Sequence, residues 1–466
     1  MTATASISAE EEQSGPVVDS TSKSNITDVG KTQESQIGLS RTHPGLYLYG
    51  SNAFGVVNPE SAHISEERSP AKFGFFDGWG LRDVALAEAF GAALDSSGNL
   101  FVWGKGFRDV PHVPQCVLRG NDLTSITCSN HHVFALSKKG RVFVIPASES
   151  AQSGWMGGKS SGKAFKELAV PRSSGKVTSI ASGLGHVAAV TSKGQLLSLS
   201  QITSTSTDFE FKVIPDLKNV DQVACGDNHV IARTTDGNSV SFGSNVYGQL
   251  AHSLREASLI QYVDAPTPVS FSPNLRIPAP TPYISSVAAG GNVSMMVAEN
   301  GVYAVGNGIY GQLGNASFNH VQVTPVAVRN LSGLTQFNEK TGQVVPVKVW
   351  KVVCGPYHCV GVLETAAKTK DCEIGRDVLT WGNNKEGELG LGQGKKGNFA
   401  VAVNPPMIRY AGMDASQDEG RMQLAGNGFA QTKDGKVAVE QDVAVGGAVT
   451  AVYSKVLSGG SWFRLW

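Results

Sequence analysis

One grammar recurs along this chain, and it limits the fold more than any other feature. From Val223 to Gly237 the sequence reads VACGDNHVIARTTDG, followed by NSVSFGSNVYGQL. The same order returns at Val287 (VAAGGNVSMMVAENG, then VYAVGNGIYGQLG) and at Val352 (VVCGPYHCVGVLE, then, after a short insert, VLTWGNNKEGELG). Weaker copies begin at Val84, Ile126 and Ile180. Each copy holds two short apolar runs joined by a turn. In five of the six copies that turn ends in glycine: Ser97-Gly98, Lys139-Gly140, Lys193-Gly194, Asp236-Gly237 and Asn300-Gly301. Glycine supplies the positive φ that a two-residue hairpin demands, so the copies read as strand pairs. A second glycine closes the outgoing strand, as at Gly243, Gly306 and Gly382, where the chain must turn sharply and pack closely.

The seventh copy is divided between the two ends. Val443 opens VAVGGAVTAVYSK, the first half of the repeat without the second, and Gly45 opens GLYLYGSNAFGVV, the second half without the first. Complementary halves at opposite ends of a repeat array predict a ring closed by pairing the first and last strands, which leaves no unprotected edge. The expected fold is therefore all-β, a seven-bladed β-propeller over residues 45–456, with 457–466 as a C-terminal tail. Repeat starts at 84, 126, 180, 223, 287, 352 and 443 lie 42, 54, 43, 64, 65 and 91 residues apart. The shorter spacings suit one four-stranded blade. The excess is expected as loop insertions at 251–282, 315–346 and 383–442, positions where a scaffold carries function without disturbing its core. The last of these contains a further hairpin-like piece, GNGFAQTKDGKVAVE.

Composition agrees with many tight turns: 54 of 466 residues are glycine, well above the usual share of about 7%. The 39 basic and 39 acidic residues cancel, so bulk attraction to nucleic acid or to an anionic membrane is not expected. No run of about 18 apolar residues occurs, and a transmembrane helix is not expected. Residues 1–40 carry six acids against two lysines and are rich in Ser, Thr, Gln and Glu. Such a segment buries too little apolar surface to offset the entropy of ordering it, which predicts a disordered tail. It is also too acidic for a mitochondrial presequence; taken as the true start, it points to the cytoplasm. Cys116, Cys128, Cys225, Cys354, Cys359 and Cys372 are irregularly spaced and follow no apolar signal segment, so reduced thiols are expected.

The pattern of small residue, Gly-x-x-His, an apolar pair, a turn glycine, and Trp/Phe-Gly-x-Asn-x-x-Gly-Gln-Leu-Gly resembles the repeat of the regulator of chromosome condensation. The resemblance runs over about residues 45–456. Phe75 to Phe107 (FFDGWGLRDVALAEAFGAALDSSGNLFVWGKGF) and the ending VAVGGAVTAVY are similar to fungal mitochondrial propellers of that superfamily. That branch is linked to the inner membrane and to assembly of the ubiquinol–cytochrome c reductase complex. The resemblance implies a non-enzymatic scaffold that binds protein partners, mitochondrial and associated with the inner membrane. A second reading, guanine nucleotide exchange on a small GTPase, follows from the founding member of the superfamily. No wedge of exchange residues is matched to a position here. Chromatin binding would favour a basic tail, and this one is acidic.

Motifs that suggest chemistry have plainer readings. Gly306 to Gly311 (GNGIYG) matches the dinucleotide fingerprint but lacks the following helix that binds pyrophosphate, and reads as a turn of the repeat. Gly157 to Ser160 (GGKS) hints at a phosphate loop. Ser153 stands where that motif needs its first glycine, with Gly154 one place out, so the segment reads as a solvated linker. His132, His186, His229 and His358 recur at one repeat position. On separate blades they lie too far apart to share an ion at a ligand distance of ~2 Å, so each is expected to hydrogen-bond its own blade. Cys354, His358 and Cys359 are close in sequence, but a fourth zinc ligand is missing. Asn292 and Asn315 head sequon-like triplets that are expected to be chance. No catalytic, cofactor-binding or metal-binding residue is assigned.

Overall fold

The computed structural model describes residues 34–457, apart from residues 62, 207 and 366 and the segments 110–112, 158–163, 253–260, 272–280, 339–341, 369–372 and 414–419. The second strands of the repeats explain the sheets. His132–Ser137, His186–Thr191, Val293–Ala298 and His358–Leu363 are buried at every position. A strand covered on both faces becomes a continuous apolar run rather than an alternating one. Here the cover on each face is the neighbouring blade.

Blade one consists of Leu81–Leu86, Gly91–Asp95, Leu100–Trp103 and Gln115–Leu118, hydrogen-bonded in that order from the axis outward. Blade two runs Leu123–Cys128, His132–Ser137, Val142–Pro146 and Lys166–Glu167. Blade three runs Val177–Ser182, His186–Thr191, Leu196–Ser200 and Lys212–Val213. Blades four and five begin with Val220–Cys225 and Ile284–Gly290, and their outer strands are Tyr262–Pro268 and Gln322–Ala327. Blade six begins with Val349–Cys354 and ends with Phe399–Val403. Blade seven is composite. Gly435–Val445 and Val449–Val456 come from the C-terminal part of the chain, Leu46–Ser51 and Glu66–Lys72 from the N-terminal part. Leu46 pairs with Tyr453, Leu48 with Ala451 and Gly50 with Val449, so the split repeat is joined in antiparallel register.

The inner strands contact one another in sequence around the axis, and those of blades six and one both touch that of blade seven. Seven apolar clusters fill the structure, one at each blade-to-blade joint. Trp103 and Phe76 anchor the joint of blades seven and one, and Trp381 that of blades five and six. The core is thus a ring of interfaces, and each blade is stable only between neighbours.

Three expectations need adjustment. The windows 251–282, 315–346 and 383–442 contain the outer strands of blades four, five and six as well as extra loops. The first two carry Pro266, Pro268 and Pro325, as edge strands tolerate, and so break any apolar run, whereas the third, Phe399–Val403, is apolar and half-buried. The hairpin-like piece in the last window extends blade seven: Gly428–Thr432 pairs with Gly435–Val445. Of the expected tail, residues 1–33 lie outside the described residues, while 34–42 form a helix. Gln36 ties that helix to blade six, accepting from Ile408 N at 3.1 Å and donating to Arg421 O at 3.2 Å, and Ile37 is buried beside it. One apolar and one amide side chain suffice to dock a segment whose overall composition is polar.

Candidate partner-binding surfaces

The repeat motif proves to be a joint. In the loop after the third strand of blades four, five, six and seven, the carbonyl that follows the motif glycine accepts a hydrogen bond from the next blade. Val56 O takes Trp103 Nε1 at 2.9 Å, Gln249 O takes Ser294 Oγ at 2.8 Å, Gln312 O takes Trp381 Nε1 at 2.8 Å, and Glu388 O takes Thr450 Oγ1 at 2.8 Å. The side chains of Gln249, Gln312 and Glu388 fold back to accept from the backbone N–H groups of Tyr247, Tyr310 and Glu386. This fixes the turn that presents the carbonyl. Gly243, Gly306 and Gly382 precede these turns at φ of 105°, 112° and 109°. A Cβ at Gly306 would lie 2.1 Å from the Asn292 carbonyl oxygen.

Three of the four recurrent histidines bond the following blade rather than their own, while His132 packs against Trp155 and Phe209. His186 Nε2 lies 3.3 Å from His229 O, His229 Nε2 2.8 Å from Ser294 Oγ, and His358 Nε2 2.7 Å from Thr450 Oγ1. Ser294 and Thr450 spend their single hydroxyl proton on Gln249 O and Glu388 O. The imidazoles must therefore donate from Nε2, which fixes the neutral tautomer. Burial pushes the titration of His132 down to about 4 and of His229 and His358 down to about 3. The glycine three residues earlier makes room for the ring: a Cβ at Gly226 would stand 2.0 Å from His229 Cε1, and one at Gly183 2.3 Å from His186 Cε1. The sequence expectation assumed local bonding because register between blades is invisible before folding.

At the residue before three of the repeat starts, a second set of joints lines up. Asp83 Oδ2 accepts from Ile126 N at 2.8 Å, Gln222 Oε1 accepts from Val287 N at 3.0 Å, and Lys351 Nζ donates to Val443 O at 3.2 Å. Between blades six and seven this layer becomes ionic. Asp442, almost fully buried, takes Lys351 Nζ on one oxygen at 2.5 Å and Lys455 Nζ on the other at 2.7 Å. Tyr453 Oη lies 3.4 Å from carboxylate oxygens of both Asp83 and Asp442. Burial alone would raise the Asp442 titration, but the two ammonium groups outweigh it and hold the carboxyl below its usual range. Burial raises that of Asp83. These residues were not singled out from sequence, although a polar residue ahead of every β-branched repeat start was a readable signal.

Inside the ring the inner strands line a channel of about 550 Å³. One mouth is formed by the hairpins after the inner strands. Glu88, Asp227 and Tyr357 stand there, the phenol raised by burial and by the two carboxylates. Phe54, Val246 and Ile309, from three motif loops on this face, are 38–46% exposed. On the opposite face, between blades five and six, Thr335–Asn338 and Gln343–Pro346 form a separate two-stranded hairpin within the window 315–346. Phe337 and Val344 face each other across it and are 64% and 66% exposed. An apolar pair on a hairpin outside the blade sheets contributes little to the core and is available to a partner.

The remaining motifs fall in ordinary surroundings. Gly306 to Gly311 ends the third strand of blade five in a turn, with further turns rather than a helix after it. Of GGKS, Gly157 ends a helix, Glu149–Gly157, and residues 158–160 lie outside the described residues. That helix was read as loop. Ser148 Oγ accepts from Ala151 N at 3.2 Å, an N-cap, and Trp155 packs near His132 and Phe209. The four repeat histidines sit on blades two, three, four and six, and among the described residues no three His, Cys, Asp or Glu side chains converge as a metal site would require.

A ring of four-stranded blades whose joints use the Gly-x-x-His and Gly-Gln-Leu elements is a propeller of the regulator-of-chromosome-condensation type. Profiles of the Regulator of chromosome condensation (RCC1) repeat match residues 220–249 and 299–362. Among curated relatives, the chain is 25% identical over 476 aligned residues to Protein FMP25, mitochondrial, of Saccharomyces cerevisiae, covering 88% of this chain and 74% of that protein. It is 26% identical to the RCC1 domain-containing protein RUG3, mitochondrial, of Arabidopsis thaliana, over 61% of this chain and 65% of that one. Among solved structures, Prp20p of Saccharomyces cerevisiae, described with its binding properties to Gsp1p and histones, superposes with a TM-score of 0.60 at 16% identity. That match covers 91% of this chain and 95% of Prp20p.

Proposed function

We propose that this protein is a non-enzymatic mitochondrial scaffold, associated with the inner membrane, that binds protein partners during assembly of the ubiquinol–cytochrome c reductase complex. The observation that carries the reading is similarity to FMP25 along 88% of the chain, reinforced by RUG3, since both relatives are mitochondrial by name. Two exposed apolar elements supply the binding chemistry: the Phe337–Val344 hairpin on one face, and Phe54, Val246 and Ile309 on motif loops of the other. The motif loops are held by rigid joints, the arrangement in which a scaffold presents recognition residues.

The test is purification of the endogenously tagged full-length protein from fractionated cells, followed by mass spectrometry. Recovery of reductase subunits with the protein in mitochondria supports the proposal. Recovery of a small GTPase, together with accelerated nucleotide release by the purified protein, would replace it with exchange-factor activity.

A further inference from the structure

We propose that Cys354 and Cys359 form a reversible intrachain disulfide, a redox modification site at the channel wall of blade six. The two residues are direct cross-strand partners, Cys354 on the inner strand and Cys359 on the second. Gly355 N donates to His358 O at 2.9 Å, so the next pair outward, Cys354 with Cys359, is a non-hydrogen-bonded one. Such pairs bring their Cα atoms to about 4.5 Å and their side chains closest together, within the range of about 4.4–6.8 Å that a disulfide requires. The Cys354 thiol stands near enough to Cys359 to help burial raise its titration.

The repeat supplies its own controls. The equivalent pairs are Leu86 with Gly91, Cys128 with Val133, Ser182 with Val187, Cys225 with Val230, Ala289 with Ser294 and Val445 with Thr450. Three blades carry cysteine at the inner position, and blade six alone places a second one opposite it. Cys354 lines the channel, so a small oxidant can reach it, whereas Cys359 is fully buried and donates its thiol to Gln312 O at 3.7 Å. In the first step the sulfur of Cys354 attacks a peroxide. An S–O bond forms, the O–O bond breaks, and the departing oxygen leaves as water with the thiol proton, giving a sulfenic acid. In the second step the Cys359 sulfur displaces that hydroxyl group. The S–S bond forms, the S–O bond breaks, and a second water carries away the Cys359 proton. Two thiols are oxidised and one peroxide is reduced to two waters; a dithiol reverses the change. Burial raises the Cys359 thiol, so the second step is the slower one and the sulfenic acid on Cys354 precedes closure. Closure withdraws Cys359 from Gln312 O and leaves Trp381 Nε1 as its donor there, coupling the redox state to the joint of blades five and six.

The experiment exposes native full-length protein to hydrogen peroxide, removes the peroxide with catalase, then denatures in N-ethylmaleimide and maps peptides without reduction. The expected result is a species lighter by two hydrogens in which Cys354 and Cys359 are linked and unalkylated. Cys128 and Cys225 remain alkylated, and dithiothreitol restores both lost thiols. In Cys359→Ser the reaction stops at a sulfenic acid on Cys354 that dimedone traps, a readout independent of whether Cys354→Ser folds. Persistence of both thiols after Cys128 or Cys225 has oxidised would overturn the proposal, and so would linkage of Cys354 to Cys372 or to another chain.

Discussion

The joint between blades four and five and the joint between blade six and the composite blade seven are built to one plan from different materials. At the first, Gln222 holds the backbone of Val287, and His229 donates to Ser294, which donates to Gln249 O. At the second, Lys351 holds Val443, and His358 donates to Thr450, which donates to Glu388 O. The second joint adds an ion triad, Lys351–Asp442–Lys455, and blade seven is itself completed by strands separated in sequence by nearly the whole chain. That pairing must form across a very long loop, which is entropically costly, whereas the charges of the triad penalise any packing of blade six on blade seven that leaves one of them buried alone.

The largest effect separates the two joints outright. Deleting 449–456 removes the strand that receives Leu46–Ser51 and splits blade seven, exposing the edges of Gly435–Val445 and Leu46–Ser51. Circular dichroism is expected to show no cooperative thermal transition, with aggregation on purification; a sharply melting monomer would mean that the ring does not depend on its closure. Next comes the triad. Asp442→Ala leaves two partly buried ammonium groups without their carboxylate and is expected to cost about 3–5 kcal/mol. Gln222→Ala at the equivalent position should cost only about 1–2 kcal/mol. Chemical denaturation of both variants measures the difference, and equal losses would remove the special role assigned to the triad.

Acid should first weaken both joints and then distinguish them. The buried histidines titrate well below the usual value near 6.5. The unfolded chain therefore binds protons first, and stability falls as pH drops from about 6.5 toward 3, by up to about 1.4 kcal/mol per pH unit for each fully buried histidine. Asp442 titrates below its ordinary value of 3.8, so its contribution is complete above that pH and is lost only below it. Denaturation curves between pH 7 and 3.5 should flatten in His229→Gln and His358→Gln to similar degrees. The further loss below pH 3.8 should be absent in Asp442→Asn.

Legibility from sequence followed the same division. Blade number and the split closure could be read because inner and second strands are apolar runs spaced by glycines, a pattern each repeat carries alone. Outer strands such as Tyr262–Pro268 escaped, being exposed edges without a period. The joints escaped as well, since the partner of His358 is Thr450 and that of Asp83 is Ile126, relations set by the packing of blades and absent from any local window. The Phe337–Val344 hairpin was hidden in a window expected to be a loop, because its short strands Thr335–Asn338 and Gln343–Pro346 mix polar and apolar residues without a clear period.

That hairpin gives the prediction with the smallest effect on stability. Phe337 and Val344 touch solvent more than core, so Phe337→Ser with Val344→Ser should shift the denaturation midpoint by no more than about 0.5 kcal/mol equivalent. A partner that seats this pair would lose affinity by about 2 kcal/mol or more, the scale of an interface hot spot. The same purification performed with the double variant decides the matter: retained folding with lost partners assigns recognition to this face. Retained partners move recognition to Phe54, Val246 and Ile309 on the motif loops, where the same pair of measurements can be repeated.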